Sequence, residues 1–447
     1  MKNLFPLVIC LFLVSLSLYA QDNPFDIYSK DVDKIIQTAL ADEEGFERFG
    51  YLCDTFGPRL AGSTNLEQAI DWCFKTMLRD QLDNIQMDPV DIPNWQRGTE
   101  SARLIYPRHH HVEMLGLGGS ISTPEGGVIG EVYVVGSYDE LLKNPQKAKD
   151  KIVLFNVPFT NYGETVRYRF NGAVWAAEAG AIASIVRSVS PIGMKNAHTG
   201  LMGYKDGVKK IPHCAITLED AEYLQRLQNK GIKPVIHIKM SAQTLPDAPS
   251  FNLMGQITGT QKPEEIISIG GHIDSWDVGT GAHDDAGGVL ATWHAVKLLK
   301  DLGLKTKRTL RVVLWTSEEN GMAGGKAYAE MHKHENHYLA FEMDGGVFEP
   351  IGIRINSSEE MFNQAKNAEK FLKRISDRQT IEKGGGGADI SPLQAMGVPV
   401  SSIAVDDEGH YFWYHHTHSD TFDKIDKDVF RKCVATIAVS MYLIANM

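Results

Sequence analysis

Apolar and polar positions divide the chain into regions of different texture. Residues 30–50 and 63–80 carry apolar side chains at helical spacing, separated by the turn-forming FGPRLAGS, and residues 85–92 alternate as a strand. From about residue 112 to 243 the apolar runs become short and β-rich: GVIGEVYVVG, KIVLFNV, GAIASIVRS, HCAIT and VIHIKMSAQ, with one helical stretch, AVWAAEAG, among them. Beyond Pro249 strands and helices alternate: strand IISI, helix AGGVLATWHAVKLLKDLG, strand TLRVVLWT, helix MAGGKAYAEMH, strand YLAFEM, helix 358–374, strand VPVSSIAV and helix FRKCVATIAVSMYLIA. This alternation predicts an α/β fold, a mainly parallel mixed sheet with helices on both faces. The N-terminal helices need a partner, and the α/β unit supplies one. Residues 21–111 and 244–447 are therefore expected to form one domain and 112–243 an inserted β-rich domain. No internal repeat or low-complexity tract interrupts the pattern.

The first twenty residues stand apart. MKNLFPLVICLFLVSLSLYA has an early Lys, an apolar centre and a small residue, Ala20, before the polar QDNP, the form of a cleaved signal peptide. The alternative is an uncleaved anchor, but the apolar core is short for a span and no later segment approaches the length needed. An exported protein follows, periplasmic, secreted or lumenal, without stable membrane insertion after cleavage.

The whole chain has 447 residues, 43% hydrophobic and 23% charged, an ordinary globular composition, with a net charge of −11. Removing residues 1–20 takes away one Lys and no acid, so the charge becomes −12. An acidic surface repels phosphate backbones, which argues against nucleic-acid binding. Cys53, Cys73, Cys214 and Cys433 are too far apart in sequence for a zinc knuckle and read as buried thiols in preference to disulfides.

In open α/β sheets, sites form beyond the carboxyl ends of strands, and there the acidic and His clusters fall. His272 and Asp274 follow IISI, and Asp284 and Asp285 precede the next helix. Ser317, Glu318, Glu319 and Asn320 follow TLRVVLWT, Asp344 follows YLAFEM, and HHTHSDT spans 415–421. Each alone also reads as a turn, a helix cap or a solvated loop. Four in order on successive strand ends would crowd carboxylates together, at a repulsive cost that protonation or a bound cation relieves. Imidazoles among them favour a transition metal, and N/O ligation without thiolate suits zinc.

The order His-x-Asp, Gly-Ala-x-Asp-Asp-x-x-Gly, Glu-Glu, Asp, His-Thr-x-x-Asp-Thr resembles the co-catalytic di-zinc exopeptidases, which include bacterial leucyl aminopeptidases and glutamate carboxypeptidases. GGHIDSWDVGTGAHDDAGG, KRTLRVVLWTSEENG, FWYHHTHSDT, CDTFGPRLAGS, PNWQRGTES, MLGLGGSIST and GGGGADISPLQAMGVP narrow the likeness to its carboxypeptidase members and spread it over nearly the whole mature chain. The resemblance implies two zinc ions bridged by Asp284, with His272 and Asp344 completing one site and Glu319 and His416 the other. It further implies Glu318 as general base, a metal-bridging hydroxide as nucleophile, a cis Asp284–Asp285 peptide, short peptide substrates and a homodimer. Asp274, two residues past His272, is expected to accept the other ring N–H and fix the tautomer. Residues 112–243 resemble a protease-associated domain through KDKIVLFNV and KKIPHCAIT, expected to act as a structural lid.

Other signals are weaker. Gly384–Gly387 lacks the Lys-Ser or Lys-Thr of a phosphate cradle; in the family this loop lies beside the substrate. Tyr411–Tyr414 reads equally as specificity pocket or core, His415 as a loop cap in preference to a substrate contact, and His109–His111 as a solvated loop. Asp277 and Asp285 are expected to make loop and backbone hydrogen bonds. Three other functions compete with the carboxypeptidase or dipeptidase reading: an aminopeptidase of the same family, a single-zinc glutaminyl-cyclase-like enzyme, and a non-catalytic binding or receptor module. The set His272, Asp284, Glu319, Asp344 and His416 exceeds what one zinc needs, and retention of Glu318 argues against a non-catalytic module.

Overall fold

The computed structural model describes residues 23–447, so the expected signal peptide lies outside the described residues. The main sheet has eight strands in the order Asp83–Gln96, Gln243–Ile257, Arg308–Trp315, Lys262–His272, Asn336–Glu342, Val400–Asp406, Glu349–Asn356, Thr380–Lys383. Its four central strands, from Arg308–Trp315 to Val400–Asp406, run parallel, while antiparallel pairs flank them. This is the mixed α/β sheet that the alternation predicts.

These strands are apolar on both faces because helices cover both. Ile267, Ile269, Leu310, Val312, Leu314, Leu339 and Phe341 pack into one large core. The intervening Val313, Trp315 and Ala340 face a second core with Tyr328, Ile390 and Leu393. The first core is closed by Gly287–Asp301 and Lys427–Ala445, helices buried on nearly every side, which explains why neither shows a polar face. Full burial of a side chain such as Leu290 contributes roughly 1.5–3 kcal/mol.

Beyond Pro249 two strands, Glu349–Asn356 and Thr380–Lys383, join the expected set at one edge. The helix expected over 358–374 is broken into Glu359–Lys366 and Glu369–Leu372, and the N-terminal region at 30–50 divides into Ser29–Ala41 and Glu44–Phe56.

A second eight-stranded sheet, ordered His110–Val112, Glu100–Tyr106, Val235–Met240, Val128–Val135, Ile152–Phe155, Ala183–Arg187, His213–Ile216, Met114–Gly116, has its own core. It takes in Glu100–Tyr106, upstream of the boundary expected at 112, because that strand pairs with Val235–Met240. His110 and His111 thus lie on a short edge strand, not in a loop. Tyr162–Glu178 and Leu218–Asn229 supply helices.

Cys53, Cys73, Cys214 and Cys433 are free and buried. Among the described residues no helix is long and apolar enough to cross a membrane.

Candidate metal centre and cleft

The chain leaves Lys262–His272 for Arg308–Trp315 on one side, then crosses to Asn336–Glu342 on the other. His272 therefore ends the strand at which the order reverses, the place where open α/β sheets bind ligands. Close backbone approach is needed here. A Cβ on Gly288 would lie 1.9 Å from the Met343 carbonyl, and one on Gly271 would lie 2.3 Å from Asp285 Oδ2.

Asp284 lies at the centre, joined to Asp285 by a cis peptide bond. Its Oδ1 is 3.1 Å from His272 Nε2, and its Oδ2 is 3.2 Å from His416 Nε2. His272 Nε2 is also 3.5 Å from Asp344 Oδ1, and His416 Nε2 is 3.0 Å from Glu319 Oε2. The structure thus brings together all five residues expected as ligands. Asp284 Oδ2 and Glu319 Oε1 are buried without a hydrogen-bond partner. Buried carboxylate oxygens left without a partner among converging ring nitrogens fit a cation between them.

Other groupings are also close enough to hold a metal: His415 with Asp284 and His416, and Asp285 with His272 and Asp344. Asp285 is committed elsewhere, since its Oδ2 accepts from the His272 N–H at 3.1 Å and its Oδ1 from the Gly288 N–H at 2.9 Å. His415 Nε2 is 3.7 Å from Asp284 Oδ2, farther than His416.

The electrostatics show an excess of acid. Burial works against it, yet the His272 and His416 rings hold the Asp284 carboxyl well below the usual range. Burial pushes Glu319 up to about 7 despite His416. Glu318 is pushed well above its ordinary value by burial, with the charges of Glu319 and Asp344 adding. His416, although buried, is raised to about 10 by Glu319 and Asp284. Two imidazoles do not neutralise this group; a divalent cation would.

Asp274 faces the His272 ring and also has a part at the Glu-Glu turn. His272 Nδ1 lies 3.1 Å from the Asp274 backbone carbonyl and 3.6 Å from its carboxylate. The carboxylate also accepts from the backbone N–H groups of Glu318 at 3.0 Å and Glu319 at 3.2 Å. The Asp274 carbonyl and carboxylate both face His272 Nδ1, and the carboxylate holds the Glu-Glu turn as well.

Several contributors escaped sequence reasoning. Asp420 accepts from the backbone N–H groups of His283 at 2.7 Å and Asp284 at 3.1 Å, and burial pushes it up to about 7. Asp and Thr after the His pair were its only signal. His283 stacks between Phe348 and Tyr414, and its Nδ1 accepts from the Val347 N–H. Asp277 forms an ion pair with Arg97, 2.5 Å, in addition to its loop position. Thr199, from the second sheet's unit, donates its N–H to the His416 carbonyl at 3.0 Å, and its own carbonyl lies 3.3 Å from His416 Nδ1.

A cleft of about 470 Å³ opens over Asp284, Glu318, Glu319, Asp344 and His416, within the size range of small-ligand sites. Tyr411, Phe412 and His415 form part of its wall, so the aromatic run reaches the cleft and His415 is more than a loop cap. Tyr162, Arg169, Phe170 and Leu201 of the second sheet's unit form another part. Gly384–Gly387 lies against Glu342 and Arg354, where a Cβ on Gly387 would be 2.3 Å from the Glu342 carboxyl.

Comparison with known proteins agrees with this architecture. The model of a family described as Peptidase family M28 matches residues 252–441. Carboxypeptidase Q of Homo sapiens is 45% identical over 409 residues, 91% of this chain and 86% of that protein; its Xenopus laevis counterpart is 44% identical over 94% and 90%. The crystal structure of a Peptidase M28 precursor from Shewanella amazonensis SB2B superposes with a TM-score of 0.90 at 34% identity, covering 94% of this chain and 97% of that one. A zinc aminopeptidase from Bacillus subtilis shares the fold, with a TM-score of 0.67 at 19% identity. Similarity that runs through both sheets and almost the full length of these relatives leaves one assignment: the chain belongs to peptidase family M28.

Proposed function

We infer that the chain is a metallo-exopeptidase that hydrolyses dipeptides and short peptides with a free C-terminus. The observation that carries this reading is the placement of Asp284, whose two carboxylate oxygens each face a different imidazole, 3.1 Å from His272 and 3.2 Å from His416. That arrangement supports a pair of zinc ions, which Asp284, His272, Asp344, Glu319 and His416 would hold between them. Zinc bound there would supply Lewis acidity toward the scissile carbonyl and toward water.

The remaining chemistry belongs to side chains. Glu318 lies in the cleft beside Glu319 and is not one of the proposed ligands. It takes a proton from the attacking water and delivers it to the leaving amine nitrogen. The two N–H bonds from Glu318 and Glu319 to the Asp274 carboxylate keep base and ligand in register. Tyr411, Phe412 and the second sheet's residues exclude water from one side of the cleft. That unit supports a protease-associated lid that also reaches His416 through Thr199. The resemblance alone supports export with loss of residues 1–20 and a homodimer.

The test is product analysis by mass spectrometry on dipeptides and longer peptides with free, acetylated and amidated ends. Release of single residues from peptides with a free C-terminus, blocked by amidation and not by acetylation, is the expected outcome. The reverse pattern would make the enzyme an aminopeptidase.

A further inference from the structure

We propose that Arg97 is a positioning residue for the metal centre, holding Thr199 of the second sheet's unit where it fixes the backbone and ring of His416; this rests on the metallo-exopeptidase reading and deepens it. His416 needs an outside hold. Its φ is 61°, a left-handed conformation that a residue with a side chain keeps only where its surroundings over-determine it. The turns beside it, His415 N–H to the Tyr411 carbonyl at 3.1 Å and Thr417 N–H to the Tyr414 carbonyl at 3.0 Å, do not engage it. Thr199 engages it twice: its N–H donates to the His416 carbonyl at 3.0 Å, and its own carbonyl lies 3.3 Å from Nδ1. When Nε2 is the ligand, Nδ1 carries the proton, and the carbonyl that accepts it sets the ring's orientation. Arg169 Nη1 shares that carbonyl at 3.2 Å. His272 differs, since its Nδ1 faces Asp274 of its own loop.

Thr199 lies in the long loop between strands Ala183–Arg187 and His213–Ile216, so contacts from elsewhere must set its place. Its hydroxyl donates to the Gly116 carbonyl at 2.9 Å and accepts from Arg97 Nη2 at 3.1 Å. Arg97 Nη1 donates to the same Gly116 carbonyl. The guanidinium also grips Asp277 with two donors, Nε to Oδ2 at 2.8 Å and Nη2 to Oδ1 at 2.5 Å. Asp277 sits on the loop that runs from His272 to Asp284. One cation, its side chain only 9% exposed, therefore ties the loop that carries two proposed ligands to the loop that orients a third.

The surroundings hold the two units together without supplying that direction. Leu60, Trp95, Trp276 and Val278 of the main sheet's unit meet Leu115 and Ala197 of the second in a small core of their own. Trp276 lies flat enough on Gly118 that a Cβ there would be 2.1 Å from its ring, and its ring centroid is 5.6 Å from that of His416. Apolar burial is non-directional. The Arg97 guanidinium, stacked over Trp95 at 5.2 Å, adds donors in a fixed planar fork that reach Asp277, Thr199 and Gly116 together.

The test reads zinc binding separately from turnover. Zinc affinity is measured by competition with a chelator in the wild type, Arg97→Met, Arg97→Lys, Thr199→Val and the double variant Arg97→Met with Thr199→Val. Arg97→Met is expected to weaken one zinc ion roughly 10–100-fold and leave the other unchanged, with activity recovering at excess zinc and KM for a dipeptide unaltered. Arg97→Lys keeps the charge without the fork and should recover part of the affinity. Because Arg97 acts through Thr199, Thr199→Val should weaken the same ion, and the double variant should lose less than the product of the two single losses. Equal weakening of both ions, or of neither, overturns the proposal, as do single losses that multiply in full. If Arg97→Met does not fold, Thr199→Val decides: selective weakening of one ion supports the proposal and unchanged affinity overturns it. If the wild type hydrolyses no peptide while Arg97→Met still weakens one zinc ion, the peptidase reading fails and the positioning role stands.

Discussion

Two charged clusters on the same sheet, one buried and one partly exposed, differ in how their charges are met. In the cluster around Arg311, a strand residue, the guanidinium is 2.5 Å from Glu335, and His332 bridges Glu335 at 3.2 Å and Asp88 at 2.6 Å. Tyr328 and Gln256 accept the other donors of Arg311. Burial opposes both shifts, yet the partners raise His332 to about 9 and lower Glu335 to about 2. Protein cations stabilise every ionised acid in that network. Around Asp284, Glu318 and Asp344 are pushed upward by burial and Glu319 is pushed up to about 7. A self-sufficient network belongs to the scaffold. One whose acids lack cations is built for something that binds.

The largest effect should come from removing a ligand. His416→Ala is expected to reduce zinc content and activity together, by more than the roughly 10–100-fold that loss of an outer-shell partner costs. Metal analysis after dialysis, alongside activity, checks this. Unchanged stoichiometry would turn attention to His415, 3.7 Å from Asp284. His418 is a poorer substitute, since its charged neighbours are Arg97, Asp277 and Glu113 and none of the central carboxylates.

Glu318→Gln should be nearly as damaging to turnover while leaving the metal in place. We expect kcat to fall roughly 10²–10⁴-fold, the usual contribution of a general base, with zinc retained. Loss of zinc instead would move Glu318 into the ligand set.

How much of this was legible in the sequence follows from what each residue depends on. The strands ending at His272 and Trp315 carry apolar runs broken only by Ser268 and Arg311, and the acidic and His clusters follow strand ends in chain order, so local pattern leads to the central residues. The strand EPIGIRIN, second from one end of the sheet, alternates through Ile351, Ile353 and Ile355 and was readable in principle, although Pro350 and Gly352 are poor strand formers. Leu218, Ala221, Leu224 and Leu227 do carry helical spacing, so that helix was readable in principle. Arg169 was not. It sits on a helix of the second sheet's unit, and its place beside His416 depends on how two separately cored units pack, which periodicity along one segment does not encode. The hold of the Asp274 carboxylate on the Glu-Glu turn was missed for a related reason: two residues of separation point to His272, 3.6 Å away, while the backbone N–H groups it accepts from are 44 and 45 residues away.

Asp274→Asn sharpens the comparison at an intermediate level. An amide has one acceptor oxygen where the carboxylate has two, so one of the N–H groups of Glu318 or Glu319 loses its partner. Activity or zinc affinity should fall roughly 10–100-fold, measured by turnover and by competition with a chelator. Wild-type values for both would mean that the turn holds its shape unaided.

The smallest effect should come from the balanced cluster, and it should leave zinc and kcat untouched. His332 has its folded pKa raised from 6.5 to about 9, so its contribution is complete below 6.5 and disappears as pH rises through about 9. Glu335 has its folded pKa lowered from 4.5 to about 2, so its contribution is complete above 4.5 and disappears as pH falls through about 2. The two overlap fully between 4.5 and 6.5. Because the Glu335 side chain is 34% exposed, solvent screening reduces the effect, and His332→Ala should destabilise zinc-loaded protein by about 1–2 kcal/mol in that window. Urea unfolding of both proteins at increasing pH should show the gap narrowing as the wild type passes through pH 9. A gap that stays constant with pH would mean that packing of the ring against Tyr328, 4.5 Å between centroids, outweighs its charge. The contrast with the Asp284 cluster would then lie in shape more than in electrostatics.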